Sequence, residues 1–502
     1  MIVGGCKSKN GGADEVTDAA VSISKKNYGD IGDVLKVPTR KVSADESEKV
    51  LKAIGLWDES NALTWEDRSG GEGTYVFKNI STTDEEGQTF KAKRLTLAGL
   101  HMEGDTPVAD LVDMGDLSLK GDDVSLTIEN LGLTDVVLSE NIGALSDIDD
   151  LLDFADLDLD IGDGTDSRAP KSFVMTGVKG QSDEAEFVIE NLGWGQDPKT
   201  SELRFAAEDL SITSLGEDSM TITLDSAKVR GMADDTDAAL SGSGGHIVDI
   251  LTQSQGFGDV ELKGFELKSD VVNLNLPSLN QSVTDKGNIR ETDFNMPSFT
   301  VALIEGDNVP PDVAQGLAML KSLGFDELVF SSKGQTELNT KTDVMTIKAV
   351  SVDLKDGFDL NYKGEISGFS AIKELGAEAS AAEFKAAQDN IKVHDFALSL
   401  EDKSIVERGF KLAGEMTGQT PKDLRRQANG VLALGSLAAL TQDDGAIYSE
   451  FTKALGEFIQ DGGTLNIAVN PQTPLTLDDF DELSRGKKPD LKRLGFSAST
   501  TQ

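Results

Sequence analysis

The feature that most constrains the fold is a period-two alternation of apolar and polar residues, which recurs along most of the chain. Successive side chains of a strand point to opposite faces of a sheet, so this spacing puts one face on a core and leaves the other polar. The segments with this pattern are 95–97, 117–119, 124–128, 220–224, 271–276 and 345–354. Turn signals rich in Lys, Asp and Gly follow several of them, at 120–123, 355–357 and 363–364. The sequence therefore predicts a mainly β protein with antiparallel pairing.

Helical segments interrupt the strands, so the predicted class is mainly β (α+β): an elongated, repeat-like antiparallel sheet with inserted helices. Pro310 and Pro311 before Asp312 are typical of a helix start, because proline suits the first turn. The predicted helices are 44–57, 245–255, 312–323, 370–388 and 421–460, the last broken at 442–445.

Similar strand segments follow the later helices and indicate a degenerate internal repeat. The first apolar residues of these strands recur every ~60–75 residues, at Val260, Leu328, Ile391 and Leu465. The pentapeptide Ile-Glu-Asn-Leu-Gly also occurs twice, at 128–132 and 189–193. Stacked supersecondary units give such self-similarity, because no single unit buries its apolar face alone. Coincidence in a chain rich in Asp, Gly and Leu is the alternative.

Changes in composition divide the chain into five predicted regions. These are an N-terminal tether at 1–43, a β-rich repeat region at 44–240, a helix-plus-β repeat region at 241–420, a helical hairpin with a final strand at 421–483, and a polar tail at 484–502.

The charge balance excludes several classes of partner. Lys and Arg total 47 against 88 Asp and Glu, which gives a formal net charge of −41. Nucleic-acid binding depends on basic clusters that neutralise phosphates, and docking on anionic lipid depends on basic segments, so neither is expected. The single cysteine excludes an intramolecular disulfide and a zinc site built from several cysteines.

The single cysteine, Cys6, follows the small and apolar residues 2–5 and precedes a polar, glycine-bearing segment at 7–15. This arrangement resembles the end of a bacterial lipoprotein signal, in which the cysteine is lipidated. No basic region and no apolar stretch of about 7–15 residues precede it. Either the numbering begins inside the signal, or Cys6 is a free cysteine in an N-terminal tail. The resemblance implies a lipid anchor in the cell envelope, and Lys7 is similar to the pattern of lipoproteins sent to the outer membrane.

The strings of Leu-x-Leu-x-Leu strands, the N-terminal attachment and the apolar helix before 462–471 are similar to the AsmA-like group of bacterial envelope proteins. The likeness is one of texture and covers about 65–483. It implies an elongated sheet curled into an apolar groove, located in the periplasm or at the outer membrane. It also implies a role in lipid movement or in maintenance of the outer membrane.

The densest acidic segment, 147–166, contains carboxylates at every second position, an arrangement that suits the oxygen-rich coordination of Ca²⁺. The candidate calcium ligands are Asp156, Asp158, Asp160 and Asp163. An EF-hand is not formed, since Ile161 stands where its glycine is needed. The alternative is a strand with a charged outer face, and no other cofactor is expected.

Catalytic signals are weak. His101, His246 and His394 lie far apart in sequence, and we expect each to have a structural role. The sequence contains no Gly-x-Ser-x-Gly elbow, P-loop or His-Glu-x-x-His motif. The protein is therefore predicted not to be an enzyme.

The favoured function is that of a non-catalytic cell-envelope lipoprotein whose concave apolar sheet binds lipid or another amphiphile. The alternative is a structural surface or filament protein that self-assembles or docks to another envelope protein. The residues predicted to line the apolar groove are Val271, Val272, Leu274, Leu276, Met345, Ile347, Val350, Val352 and Leu354.

Overall fold

The protein is mainly β: of the residues that the structure describes, 56% lie in strands and 22% in helices, which confirms the predicted class. The computed structural model describes residues 28–57, 63–83, 88–121, 124–138, 170–197, 200, 202–216, 219–232, 258–304, 309, 311–373, 381–439, 445–476, 479 and 493–502. The chain divides into two compact units, Met1–Asp234 and Asp235–Gln502, which are described separately.

The first unit is an antiparallel sheet with helical segments at its N-terminal end. Its strands are β1 (Leu63–Thr64), β2 (Asp67–Gly71), β3 (Thr74–Thr83), β4 (Thr89–Ala98), β5 (His101–Glu103), β6 (Thr106–Lys120), β7 (Ser125–Val137), β8 (Ser172–Gln181), β9 (Ala185–Gln196), β10 (Leu203–Ser214) and β11 (Met220–Met232). The sheet runs in the order β3, β4, β6, β7, β8, β9, β10 and β11. Strands β1 and β2 both pair with β3, and β5 pairs with β6.

A 3₁₀ helix (Ile31–Leu35) and helix α1 (Ala44–Ala53) precede this sheet. The side chain of Ser43 accepts a hydrogen bond from the backbone N–H of Glu46 and so caps the first turn of α1. Val50 and Leu51 are fully buried on the inner face of the helix and pack with Leu56 into the core of the sheet. This core lies on one face of β3 to β9.

The repeated pentapeptide Ile-Glu-Asn-Leu-Gly occupies equivalent places on β7 and β9, the two neighbours of β8. Both of its glycines lie beneath the 3₁₀ helix. A Cβ on Gly132 would overlap Leu35 Cδ1, and a Cβ on Gly193 would lie 3.1 Å from Ile31 Cγ1. The repeated glycines therefore make room for the 3₁₀ helix to pack directly on the sheet.

The second unit is also an antiparallel sheet, with helices inserted between its strands. Its strands are β12 (Asp259–Ser269), β13 (Val272–Lys286), β14 (Ile289–Leu303), β15 (Leu328–Asn339), β16 (Val344–Leu354), β17 (Phe358–Ser367), β18 (Lys392–Asp402), β19 (Gly463–Val469), β20 (Leu475–Thr476) and β21 (Phe496–Thr501). Strands β12 to β19 pair in sequence order, β21 follows β19, and β20 pairs with the start of β18.

The helices of the second unit agree in part with the prediction. They are α2 (Pro311–Ser322), α3 (Ser370–Lys373), α4 (Ala381–Gln388), α5 (Ile405–Thr417), α6 (Pro421–Ala439) and α7 (Gly445–Asp461). Helix α2 begins at the predicted proline, whereas α5 was not predicted. Helix α5 is capped at its C-terminal end by Gly418, which has the left-handed conformation and donates its N–H to Gly414 O. The predicted helix 245–255 lies outside the described residues.

One predicted turn is wrong. The segment 355–357 joins β16 to β17 as expected, but Lys363 and Gly364 lie inside β17 and pair with β18. A Cβ on Gly364 would lie 2.6 Å from Asp395 O. Glycine is needed there for the close approach of the neighbouring backbone, which is a second common use of glycine in a strand.

Candidate functional site

The sheet of the second unit has one apolar and one polar face, and the strand register makes both continuous. Directly paired residues of antiparallel strands lie on the same face. One row across β14 to β19 is Phe294, Gly334, Val350, Tyr362, Leu398 and Ile467. The next row along the strands is Asn295, Lys333, Ser351, Asn361, Ser399 and Asn466. We call the side that carries the first row the apolar face.

The sequence alternation changes phase between Ile347 and Val350, and a β-bulge compensates for the change. The register between β15 and β16 shifts by one residue, which leaves Lys348 as the extra residue of β16. Because the extra residue adds one position to β16, Ile347 and Val350 lie on the same face although they are three residues apart. Ile347 and Val350 are consequently both buried on the apolar face, at 6% and 5% exposure.

All of the predicted groove residues except Val271 belong to two strands of this face, which are separated by β14 and β15. On β16, Met345, Ile347, Val350 and Leu354 are buried, and Val352 is partly buried. On β13, Val272, Leu274 and Leu276 are partly buried. Val271 directly precedes β13, and its carbonyl accepts a hydrogen bond from Ile304 N. The two strands are three interstrand spacings apart, roughly 14 Å, so they belong to one surface without direct contact.

Two helices cover parts of the apolar face. At β15 to β17, the segment containing α4 covers the sheet with Phe369, Phe384, Ala387 and Ile391 packed on Leu338, Met345 and Ile366. At β18, β19 and β21, helix α7 covers it with Phe451, Ala454, Leu455 and Phe458 packed on Leu400, Leu465, Ile467, Phe496 and Ala498. These two clusters are conventional buried cores.

A further part of the apolar face belongs to neither cluster, and its side chains are only partly buried. These residues are Leu274, Leu276, Phe299, Val301, Phe330, Val352, Leu360, Tyr362 and Leu398, and we call them the open part of the apolar face. The groove predicted from the sequence did not include the aromatic residues Phe299, Phe330 and Tyr362. The available signal was the same alternation, for example in Phe299 and Val301.

Ion pairs occupy the polar face of the same strands. Asp353 and Asp359 stand opposite each other on β16 and β17, and Lys403 Nζ lies 2.5 Å from one carboxylate and 2.9 Å from the other. The hydrogen bond between the two carboxyls raises the pKa of Asp353 and lowers the pKa of Asp359. Hydrogen bonds from Lys403 to both carboxylates, together with their negative charge, raise the pKa of Lys403 above its ordinary value. The lysine therefore compensates a pair of carboxylates that would otherwise repel each other across the strands.

In the first unit, a buried polar cluster ties the 3₁₀ segment to the sheet. Tyr28 Oη donates to Asp113 Oδ1 at 2.6 Å, and Arg94 Nη2 donates to Asp113 Oδ2 at 3.0 Å. Asp113 is 3% exposed. Burial, together with the neighbouring carboxylate, raises the pKa of Tyr28. Arg94 neutralises the buried carboxylate of Asp113, and Tyr28 provides a second hydrogen bond to it, so the role of the cluster is structural.

His101 belongs to a second structural cluster, close to the chain segment before α1. Its Nε2 lies 2.5 Å from Arg40 Nη1, and its Nδ1 lies 2.7 Å from Gly99 O. Because a guanidinium only donates, Nε2 accepts and Nδ1–H donates to the carbonyl. Asp110 accepts from the backbone N–H of Arg40 at 2.6 Å and completes the cluster.

Several predicted site residues lie outside the described residues. They are Cys6, His246 and the candidate calcium ligands Asp156, Asp158, Asp160 and Asp163. Within the described ranges, no group of three or more His, Cys, Asp or Glu side chains is arranged to hold a metal ion. The same part of the chain contains no helix with the length and apolar character needed to cross a membrane.

A comparison with protein families matches the C-terminal part of the second unit. A family model described as an uncharacterized protein matches residues 351–501, from the end of β16 to β21. No curated protein matches the chain. The match includes helix α7 and the cluster beneath it, and its description carries no activity.

Proposed function

We propose that this protein binds a lipid or another amphiphile on the open part of the apolar face, as a lipid-anchored protein of the bacterial cell envelope. The observation that carries the proposal is the continuity of this face from β13 to β18. Ordinary sheets bury such a face against a second layer. Here the α4 and α7 clusters account for part of it, and the open part remains partly exposed.

The dimensions of the open part suit an acyl chain. From β13 to β18 there are five interstrand spacings of roughly 4.8 Å, or about 24 Å. Each methylene group removed from water contributes roughly 0.8 kcal/mol. A long acyl chain lying across these strands would therefore gain several kcal/mol without any polar contact. The role is one of binding, and it requires no chemistry on this face.

The cell-envelope part of the proposal rests on the sequence around Cys6, with acylation of that cysteine as the anchor. Native mass spectrometry of protein purified from its own membranes tests both parts at once. We expect an acylated N-terminal peptide and a phospholipid or fatty acid bound to the folded protein. A lipid-free protein with an unmodified Cys6 would contradict the proposal.

Two neighbouring residues of β16 provide a matched pair of variants for the binding site. Val352 lies on the apolar face and Ser351 on the polar face, and both are partly buried. A carboxylate on the apolar face would have to be desolvated by a bound acyl chain. We expect Val352→Glu to weaken binding of a fluorescent fatty acid at least tenfold, and Ser351→Glu to leave it within twofold. Equal effects of the two substitutions would argue against the apolar face as the site.

A second candidate function, assembly with another copy of this chain, is favoured by one observation. Helix α6 exposes an apolar stripe of Val431, Leu434 and Leu437, at 69%, 69% and 62% exposure. Such a contiguous stripe marks an interaction surface in many proteins. Sedimentation analysis of the wild type and of Leu434→Lys tests it. A concentration-dependent oligomer that Leu434→Lys dissociates would support assembly, and a monomer at all concentrations would exclude it.

A further inference from the structure

Three polar side chains on the polar face of the second unit are arranged as a nucleophile, a base and an orienting carboxylate. Ser367 Oγ lies 2.7 Å from His394 Nε2. On the other side of the imidazole, His394 Nδ1 lies 3.9 Å from Glu365 Oε1. A hydroxyl bonded to one ring nitrogen and a carboxylate facing the other is the arrangement that activates serine in hydrolytic enzymes.

A β-bulge brings the histidine to this position. Glu365 pairs with Asp395 and Ile366 pairs with Val393, so His394 is the extra residue of β18. The shift keeps Val393 on the apolar face with Ile366 and turns the imidazole to the polar face with Glu365 and Ser367. Bulges are frequent next to active sites, where they redirect a side chain.

The backbone around Ser367 is held on its C-terminal side. Ser367 is the last residue of β17, and after a two-residue turn helix α3 begins at Ser370. Asp343 fixes this turn: its carbonyl accepts from Gly368 N, and its carboxylate accepts from Ser370 N at 2.8 Å. Gly368 has a φ of 94°, and a Cβ there would overlap Asn390 O. A serine at a tight strand-to-helix turn is a position that presents a nucleophile to solvent.

The cluster is accessible. The side chains of His394 and Glu365 are 30% and 39% exposed. We propose that Ser367, His394 and Glu365 form a hydrolytic site for carboxylic esters. Ser367 and His394 are the catalytic residues, and Glu365 is a positioning residue that orients the imidazole. The site departs from the expectation that the protein is not an enzyme, and it lies on the face opposite to the proposed lipid-binding surface.

The reaction follows from the roles of the three groups. Ser367 Oγ attacks the ester carbonyl carbon while His394 Nε2 accepts the hydroxyl proton. The bond to the alcohol oxygen breaks, and the alcohol leaves with that proton, which gives an acyl-serine. Water then attacks the acyl carbon while His394 accepts its proton; the acyl–Oγ bond breaks, and Oγ regains the proton as the acid leaves. Ester and water give acid and alcohol, with no oxidation or reduction.

The surroundings indicate the class of substrate. The polar face around the cluster carries charged and polar side chains, including Lys363 and Asp395. We therefore expect small, water-soluble acyl groups such as acetyl to react in preference to long acyl chains. This separates the site from the apolar face, where a long chain would bind.

Covalent labelling tests the site directly. A fluorophosphonate probe should phosphonylate folded wild-type protein at Ser367, located by peptide mass mapping. Wild type should also hydrolyse p-nitrophenyl acetate faster than an equal concentration of imidazole. Ser367→Ala should lose both signals. Ser399 lies on the polar face too, on the neighbouring strand β18, and Ser399→Ala should keep both. Thermal melting of each variant near the wild-type temperature shows that folding is intact.

Substitutions of His394 and Glu365 distinguish a catalytic role from a purely structural hydrogen bond. We expect His394→Gln to lower kcat roughly 10²-fold or more. Glu365→Gln should lower kcat about tenfold with KM unchanged, and Glu365→Asp should restore part of the loss. A folded wild type that is not labelled at Ser367, or a Ser367→Ala variant that hydrolyses the ester at the wild-type rate, would overturn the proposal.

Discussion

The ring of Phe294 on β14 lies over Gly334 on β15, and the side chain of Val350 on β16 approaches the same glycine. A Cβ on Gly334 would overlap Phe294 Cε1 and would lie 2.8 Å from Val350 Cγ2. The three residues occupy one row of the apolar face. The missing side chain on the middle strand thus leaves room for the aromatic ring of one neighbouring strand and for the valine of the other.

This relationship predicts the effect of adding a single methyl group. Gly334→Ala should lower the free energy of unfolding by about 1–3 kcal/mol, because the new methyl displaces a packed ring. Gly409→Ala on helix α5 is the matched control, since a Cβ there has no atom within 4 Å. The control should be stabilising by ~0.5–1 kcal/mol, the usual gain for replacing glycine in a helix. Urea unfolding measures both, and a neutral Gly334→Ala would mean that the ring moves freely.

The 3₁₀ helix offers a test of coupling between two named residues. Gly132→Ala should displace Leu35 and reduce amide-exchange protection in the segment 28–35. Leu35→Ala removes the opposing methyls, so the double variant should be less destabilised than the sum of the single variants. Non-additivity of about 0.5–3 kcal/mol is typical of residues in contact. Gly121→Ala, where the nearest atom is 3.8 Å away, is the control and should change neither protection nor stability.

Removal of the buried tyrosine hydroxyl should reduce stability and change its pH dependence. Tyr28→Phe leaves the buried carboxylate of Asp113 without one hydrogen bond, at an expected loss of about 1–3 kcal/mol at pH 7.

The sign of the pH effect follows from the raised pKa of Tyr28. In the unfolded chain a tyrosine ionises near pH 10, whereas the folded protein keeps the neutral form above that value. The stability from this group is therefore complete below about pH 10 and decreases as the pH rises above it. Chemical unfolding between pH 8 and 11 should show this decrease in wild type and a smaller one in Tyr28→Phe.

The sequence was sufficient for the class and for about half of the strands, because uninterrupted alternation such as that over 220–224 has only one simple structural explanation. It was insufficient where a strand changes phase. Asn79, Asp116 and Asp209 lie within strands yet have positive φ values of 49°, 52° and 50°, which only the pairing of each strand reveals. Asn and Asp tolerate this conformation better than other non-glycine residues. The residue type therefore indicates where positive φ is possible, but the sequence does not show which Asn and Asp residues adopt it.

For the candidate sites, too, some residues could be predicted from the sequence and others only from the strand pairing. The groove residues of β13 and β16 were predicted from the alternation of apolar and polar residues in each strand. Phe299 and Phe330 on β14 and β15 lie between them, and the strand register shows that they share the same face. The contact between Ser367 and His394 was beyond the reach of sequence periodicity, because it depends on a single extra residue in β18.

The pair Phe299 and Phe330 distinguishes a binding surface from an ordinary core. They are direct partners on β14 and β15, and both are partly buried. If the open part binds an acyl chain, Phe299→Ala should weaken the binding of a fluorescent fatty acid about tenfold, or roughly 1.4 kcal/mol. The free energy of unfolding should then decrease by less than it does when a core phenylalanine is removed. A phenylalanine in a closed core would instead lower that free energy by about 3–5 kcal/mol. Thr300→Ala, the next residue on the polar face, should leave the affinity unchanged. Calorimetric titration and urea unfolding of the same three proteins decide between the two, and a large loss of stability with unchanged affinity would reject the binding surface.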